Sequence, residues 1–309
     1  MRRRPPLLSP EAEGTLLVLV SAAGFATLAI LAKVAYATGV APLVALNWRF
    51  ILATLLIAAY VRLNRLPWRV PPREAVILLL LGGVGYAAQS SLFFSALRFI
   101  PASATSMLLY TYPAFVSLLS YLLWGNPLGR RHLLALLLTG AGTFLLLWSP
   151  QLHLNPAGTS LGLGAALVYS VYLLANQRLT PGVNPAVASW YIIGGAAVTF
   201  TAINAFTGAF TAAFRPQGWL ALTLMALFST ALAIGTLLAG IRRLGAARAS
   251  VLSTFEPLIT VLLALLFLGE RLSAVQAVGG VFIASGMFLL HLPLPLRRPA
   301  AAVRPDARG

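Results

Sequence analysis

Long apolar runs restrict this sequence more than any other feature. A helix needs about 20 apolar residues to cross a hydrocarbon core roughly 30 Å thick. Runs bounded by glycine, proline or arginine clusters predict ten such spans, at approximately residues 14–37, 41–61, 74–97, 102–124, 130–148, 159–177, 185–205, 217–241, 246–268 and 272–292. Charged residues are only 9% of the chain, against about 25% in soluble domains. Because backbone groups in lipid must bond to one another, we predict an all-α integral membrane protein of ten transmembrane helices.

The basic residues predict how the chain is oriented. With a cytoplasmic N-terminus, 17 of the 22 Lys and Arg residues fall on the cytoplasmic side, 4 lie at outer ends of spans, and Arg49 lies within a span. Lys and Arg are enriched in cytoplasmic loops, so both termini are predicted to be cytoplasmic, in a bacterial inner or plasma membrane. The net charge of +16 is thereby explained, and nucleic acid is not a predicted partner since no soluble fold presents a basic face.

The two halves of the chain repeat at a shift of 144 residues. Matched positions include Ser106 and Ser250, Pro113 and Pro257, and Gly125 and Gly269. The register predicts two five-helix units between basic cytoplasmic tails, with the four regions at 1–13, 14–148, 158–292 and 293–309. Five spans is an odd number, so the second unit enters the membrane from the opposite side. Inverted repeats of this kind are typical of secondary transporters that work by alternating access.

Several local motifs carry a resemblance to a known family. They are Ala96-Leu97-Arg98 followed by Pro101-Ala102-Ser103, Glu256-Pro257 in span nine, and the run Leu268 to Ser273. Together with the repeat, they resemble the EamA unit of the drug/metabolite transporter superfamily over nearly the whole chain. The resemblance implies a central cavity lined mainly by helices 1, 3, 4, 6, 8 and 9. It also implies export of amino acids, other metabolites or drugs, while more distant relatives carry nucleotide sugars and triose phosphates.

One departure from the repeat concerns the loop after the fourth helix of each unit. Asn126 stands where the second unit has Glu270. The Glu270 carboxylate can pair with another group from this short loop. The first unit has no carboxylate at this position, so the same pairing is not available there.

Glu256 is the most informative single residue of the sequence. It lies about ten residues into span nine, and a carboxylate at that depth costs about 2.5–3.5 kcal/mol on insertion scales. One interpretation is a site for a substrate amine or a proton. The other is a buried, hydrogen-bonded side chain at a helix kink before Pro257. The sequence leaves both open.

Arg49 and two prolines are further candidates within the spans. Arg49 lies eight residues into span two, where its planar guanidinium can bind a carboxylate. It can equally extend outward to the interface or pair with another side chain. Pro113 and Pro257 remove a backbone donor within spans four and nine, so they are either hinges or kinks required by packing.

A set of aromatic and polar side chains at mid-depth predicts a binding pocket. Aromatic rings with polar groups suit amphipathic solutes, although ordinary helix packing and interhelical hydrogen bonds also explain such residues. The candidates for substrate binding are Tyr86, Gln89, Ser90, Tyr112, Tyr169, Tyr172, Trp190, Ser229 and Thr230.

These features favour a secondary transporter that exports small polar metabolites, most of all amino acids, including aromatic or hydrophobic ones. The sequence has no Walker motif and its only lysine is Lys33, so ATP-driven transport is not predicted. Energy would come from a proton gradient, exchange or the solute gradient. A passive channel, or an exporter of drugs or sugar and nucleotide metabolites, remains an alternative. No catalytic activity, cofactor or metal is predicted, because no second carboxylate accompanies Glu256 and the histidines lie near span ends.

Overall fold

The computed structural model describes residues 9–125, 129–147, 155–180, 182–208, 214–244 and 246–291, and this part of the chain contains helices and no strand. The helices run in order as α1 Pro10–Ala37, α2 Pro42–Leu63, α3 Pro72–Ala96, α4 Ala102–Trp124, α5 Arg130–Leu147, α6 Pro156–Leu179, α7 Pro185–Thr207, α8 Gln217–Leu244, α9 in two parts at Ala246–Ser253 and Glu256–Leu268, and α10 Ala274–His291. The predicted all-α class is confirmed for the described residues.

Seven of the described helices are long and apolar enough to cross a membrane by length and composition, namely α1 to α4 and α6 to α8. The second part of α9 and most of α10 are shorter apolar helices. Two arginines, Arg130 and Arg131, occupy the start of α5. Ten membrane spans therefore stay a prediction.

Proline and polar caps set where several helices begin. Pro10 and Pro156 occupy the first turn of α1 and α6, where proline is favoured because its missing N–H has no helical partner. The side chains of Ser9 and Asn155 accept from backbone N–H groups of those first turns. These caps start α1 and α6 a few residues before the predicted positions 14 and 159.

Helices α4 and α9 are broken at matched positions of the repeat. The break in α4 lies between Leu109 and Tyr112, and the break in α9 between Ser253 and Glu256. Pro113 and Pro257 follow these breaks. A proline ring clashes with the carbonyl four residues earlier, so each proline interrupts its helix. The breaks in spans 102–124 and 246–268 thus lie where Pro113 and Pro257 predicted a kink, and Glu256 is the first residue of a new helix.

Helices α3 and α8 each contain a π-helical segment, at Leu81–Tyr86 and Leu227–Leu232. The sequence did not predict these segments. The first lies against α7 so closely that a Cβ at Gly82 would collide with the carbonyl of Ile192. Segments of this kind are rare and occur often at functional sites.

The main contacts between helices recur in the two halves of the chain. Helix α1 packs against α8 and α9, just as α6 packs against α3 and α4, while α2 pairs with α7 and α5 with α10. Gly14 at the start of α1 lies against Leu244 at the end of α8, and Gly158 at the start of α6 lies against Ile100 beyond α3. Near the other end of α1, Lys33 Nζ donates to the same Ile100 carbonyl at 3.0 Å. Helix α6 therefore begins at the end of the bundle where α1 finishes.

A carboxylate from the α9–α10 loop caps the start of α4. Glu270 Oε1 accepts from the backbone N–H of Ala102 at 2.6 Å. Its Oε2 accepts from the backbone N–H of Ser103 at 3.0 Å and from the Ser103 hydroxyl at 2.6 Å. Glu270 thus does form a loop pairing, whereas its repeat counterpart Asn126 lies outside the described residues.

A central cavity with one guanidinium and one carboxyl

A cavity of about 430 Å³ lies at the centre of the bundle. Each of the six helices that the family resemblance implied contributes side chains, and α2 and α10 add one each. The lining residues are Phe25, Leu28, Arg49, Tyr86, Gln89, Ser90, Phe93, Phe94, Leu109, Tyr110, Tyr112, Tyr169, Leu237, Ile241, Ala249, Ser253, Thr254, Glu256 and Met287. The walls are thus largely apolar and aromatic, with few charged groups.

Glu256 enters the cavity from the break in α9. Its carboxyl forms a hydrogen bond with the side chain of Tyr110 and no salt bridge within the described residues. As the first residue of the second part of α9, it lies at the positive end of that helix, which stabilises an ionised carboxylate. The two sequence interpretations of Glu256 describe one geometry, because the side chain both precedes Pro257 and lines the cavity.

Arg49 lines the same cavity from α2. The residue is only 2% exposed, so the interpretation in which it extends outward to the interface is wrong. Its Nε donates to the Thr230 hydroxyl at 3.2 Å, and its guanidinium carbon lies 4.7 Å and 5.6 Å from the ring centroids of Phe50 and Phe94. No carboxylate pairs with Arg49 among the described residues. A guanidinium has five N–H donors, so donors remain for a ligand.

Five tyrosine rings form a continuous chain beside the cavity. Ring centroids are 6.1 Å apart for Tyr110 and Tyr112, 4.9 Å for Tyr112 and Tyr169, 5.8 Å for Tyr169 and Tyr172, and 5.5 Å for Tyr172 and Tyr86. At one end of the chain, the Tyr110 side chain forms a hydrogen bond with the Glu256 carboxyl. At the other end, the Tyr86 side chain interacts with the Arg49 guanidinium. Four of the five line the cavity, while Tyr172 stacks behind Tyr169.

Two polar candidates on α3 lie where the sequence suggested. Gln89 and Ser90 are buried and line the cavity. The Ser90 hydroxyl lies 3.3 Å from Gln89 Oε1, to which it donates. Both residues come soon after the π-helical segment, which orients this turn of α3 toward the centre.

Ser229 and Thr230 lie behind the cavity wall rather than in it. Both are buried in the π-helical segment of α8. The Ser229 hydroxyl lies 2.7 Å from that of Thr27 on α1, and the Thr230 hydroxyl accepts from Arg49. The prediction that they line the pocket was wrong, because the π-helical segment directs them toward α1 and α2.

Trp190 is also remote from the central cavity. It lies near the start of α7, with its ring centroid 6.3 Å from Trp68 and 5.0 Å from Tyr191. It lines a separate cavity at the end of α2. Its depth in the span was overestimated, because a residue so close to a helix start faces the end of the bundle.

The sequence candidates omitted Tyr110 and Thr254, which both line the cavity. The repeat itself could have identified them. Tyr110 and Thr254 differ by the same 144 residues as Tyr112 and Glu256, so each break contributes a matched pair of lining residues. Phe93 and Phe94 were missed because nothing in their spacing separates them from packing residues.

Known transporters are similar to this chain over most of its length. The EamA-like transporter family matches residues 12–148 and again residues 156–292. The uncharacterized transporter YcbK of Bacillus subtilis is 30% identical over 289 residues, covering 89% of this chain and 93% of that protein. The threonine/homoserine exporter RhtA of Escherichia coli is 29% identical over 249 residues, covering 77% of this chain and 78% of that one.

A solved crystal structure shows the same fold at lower sequence similarity. It superposes with a TM-score of 0.62 at 22% identity, covering 89% of this chain and 95% of that one. The family match confirms the resemblance inferred from the sequence motifs, and the apolar helices fit an integral membrane protein. This chain belongs to the EamA-like transporter family.

Proposed function

We propose that this protein is a secondary transporter that exports amino acids by alternating access. One observation carries the proposal: a single cavity presents the Arg49 guanidinium and the Glu256 carboxyl, and neither forms a salt bridge within the described residues. A zwitterionic amino acid offers one opposite charge to each. Its carboxylate would bind the planar guanidinium, and its ammonium group would bind the carboxyl.

The energetic cost of charged groups in a membrane protein favours a zwitterionic solute. A charged side chain inside a membrane protein is costly unless it is paired or faces a hydrated cavity. A bound amino acid pairs both charges at once, so its binding relieves two costs. A solute that lacks either charged group leaves one buried group unpaired, and sites of this type reject such analogues strongly.

The walls of the cavity indicate which side chain the amino acid carries. Tyr110, Tyr112 and Tyr169 supply aromatic faces and hydroxyls, and Leu28, Leu237 and neighbouring residues supply apolar surface. Aromatic rings with polar groups suit an aromatic or aliphatic side chain. Export of threonine and homoserine by the relative RhtA supports amino acids as the substrate class.

The packing of the helices supports alternating access between inverted five-helix repeats. Helix α6 begins at the end of the bundle where α1 finishes, and the contacts of α1 with α8 and α9 have counterparts in those of α6 with α3 and α4. We propose ten membrane spans with both termini in the cytoplasm of a bacterial cell. The breaks at Pro113 and Pro257 would be the hinges, and the Glu256 carboxyl would be the site of any proton coupling.

Counterflow in proteoliposomes tests the proposal. Purified protein is reconstituted and preloaded with an unlabelled amino acid, and uptake of the labelled compound is followed for phenylalanine, threonine and homoserine. We expect saturable uptake that the internal amino acid accelerates. Uptake that neither saturates nor responds to the internal amino acid would indicate a channel instead. Counterflow of sugars or nucleotides in place of amino acids would contradict the substrate class.

A further inference from the structure

A second cavity, of about 520 Å³, lies between the end of α2, the loop that follows it and the start of α7. Arg62, Arg65, Trp68 and Trp190 line it. The arginine count predicts that this end of the bundle is cytoplasmic. Nothing in the transport proposal uses this cavity.

Arg65 has a strained backbone at the edge of this cavity. Its φ is 50°, and among the described residues it is the only residue other than glycine with a positive φ. Helix α2 ends with the Arg65 N–H bonded to the Arg62 carbonyl at 3.1 Å and the Leu66 N–H bonded to the Val61 carbonyl at 3.0 Å. That pair of bonds defines a helix ending whose left-handed position is usually glycine.

Other helices of this protein do use glycine at their ends. Helices α4, α7 and α9 end at Gly125, Gly208 and Gly269, with φ of 65°, 67° and 64°. An arginine in the same conformation stores strain, and strained residues cluster at functional sites. The positive φ of Arg65 therefore indicates a functional role for this residue at the cavity.

The polar groups around the cavity favour an anionic ligand. Neither Arg62 nor Arg65 forms a salt bridge in the part of the chain that the structure describes. Trp190 lines the cavity, and its indole Nε1 is buried without a hydrogen-bond acceptor. Two guanidinium groups and an N–H donor without an acceptor match the oxygens of a phosphate group.

The surroundings of the cavity are those of a membrane interface. Leu55 and Leu63 on α2 are 62% and 83% exposed, so the helix presents apolar surface outward beside the cavity. Trp68 is 49% exposed at its rim, and tryptophan is enriched where membranes meet water. Basic pockets between helices at the cytoplasmic face bind anionic lipid headgroups.

We propose that this cavity binds the phosphate headgroup of an anionic phospholipid, with acyl chains along α2. Arg62 and Arg65 pair with the phosphate, and Trp190 donates to a headgroup or ester oxygen. The bound lipid fastens the end of α2 to the start of α7. The proposal is independent of the transported solute.

Thermal unfolding in lipid of defined composition tests this site. The substitution Arg65→Gly should stabilise the protein itself and weaken its stabilisation by the anionic lipid. Protein is placed in nanodiscs of phosphatidylcholine alone or with phosphatidylglycerol. We expect phosphatidylglycerol to raise the melting temperature of the wild type. Arg65→Gly should be more stable than wild type in phosphatidylcholine, because glycine relaxes the backbone, and should lose the greater part of the shift caused by phosphatidylglycerol. Arg73→Gln removes an exposed arginine elsewhere and should keep the whole shift.

Two further measurements complete the test. Arg62→Gln leaves the backbone strain in place and should lose the shift as well, so the proposal stays testable should Arg65→Gly fail to fold. Inorganic phosphate added to phosphatidylcholine nanodiscs should raise the melting temperature little. The proposal is overturned when both variants keep the wild-type shift, or when free phosphate stabilises the protein as much as phosphatidylglycerol does.

Discussion

Replacing Glu256 by glutamine isolates the charge of the cavity carboxyl. The amide has the same shape, and its oxygen still accepts from the Tyr110 hydroxyl that bonds to the carboxyl. The substitution removes the carboxylate alone and leaves the break before Pro257 intact. We expect opposite effects on substrate affinity and on stability.

The magnitude of each effect follows from the environment of Glu256. Removing one partner of a buried charge pair costs about 2–5 kcal/mol, and each 1.4 kcal/mol is about tenfold in affinity. The amino acid should therefore bind at least about 30-fold more weakly to the variant. A carboxylate in a membrane helix costs about 2.5–3.5 kcal/mol, so the substrate-free variant should be no less stable than wild type.

The assay combines binding, counterflow and thermal unfolding of the same preparations. Glu74→Gln, in the first turn of α3 and outside the cavity lining, is the matched control and should behave as wild type. Loss of gradient-driven uptake with normal counterflow would assign Glu256 to the proton alone. Unchanged affinity together with an unchanged pH dependence of transport would refute both roles for the carboxyl.

The hydrogen bond of Arg49, the cap of α4 and the close packing of α3 against α7 each lead to a further prediction. Thr230→Val removes the acceptor of Arg49 Nε, which costs about 1–3 kcal/mol for a buried donor, so the half-saturation constant for counterflow should rise roughly fivefold or more. Thr230→Ser should restore it, and a Val variant with wild-type kinetics would contradict the positioning role. Glu270→Gln weakens a charged helix cap and should destabilise the protein by roughly 1–2 kcal/mol, seen as a lower melting temperature in detergent; an unchanged melting temperature would count against the cap. Gly82→Ala introduces a collision and should lower folded yield, whereas Gly140→Ala meets no atom within 4 Å and should be neutral or stabilising by up to about 1 kcal/mol; equal yields would contradict the close α3–α7 packing.

The sequence predicted the helices well because each signal that it used is local. Apolar runs of spanning length become helices wherever water is absent, and proline marks helix starts such as Pro42 and Pro185. The 144-residue register also matched features that depend on backbone conformation. Gly125 and Gly269, one repeat apart, have φ values of 65° and 64°.

The sequence could not predict which side of a helix faces the cavity. Gln89 and Thr230 are both polar residues at mid-depth of an apolar span, yet Gln89 lines the cavity and Thr230 lies behind it. The difference comes from the π-helical segments, which depend on tertiary packing such as that of Gly82 against α7. Polar residues in membrane helices serve interhelical bonds as readily as ligands, so their type alone does not distinguish the two roles.

Competition in the counterflow assay is the sharpest test of whether Arg49 and Glu256 together recognise a zwitterion. Labelled phenylalanine is exchanged in proteoliposomes while phenylalanine, phenethylamine or 3-phenylpropionate is offered as competitor; the last two each lack one of the two charged groups. We expect the intact amino acid to compete at far lower concentration than either analogue, because only the zwitterion pairs both Arg49 and Glu256. Equal competition by either analogue would mean that one of the two charges takes no part in recognition, and the proposed pairing of the zwitterion with both Arg49 and Glu256 would be wrong.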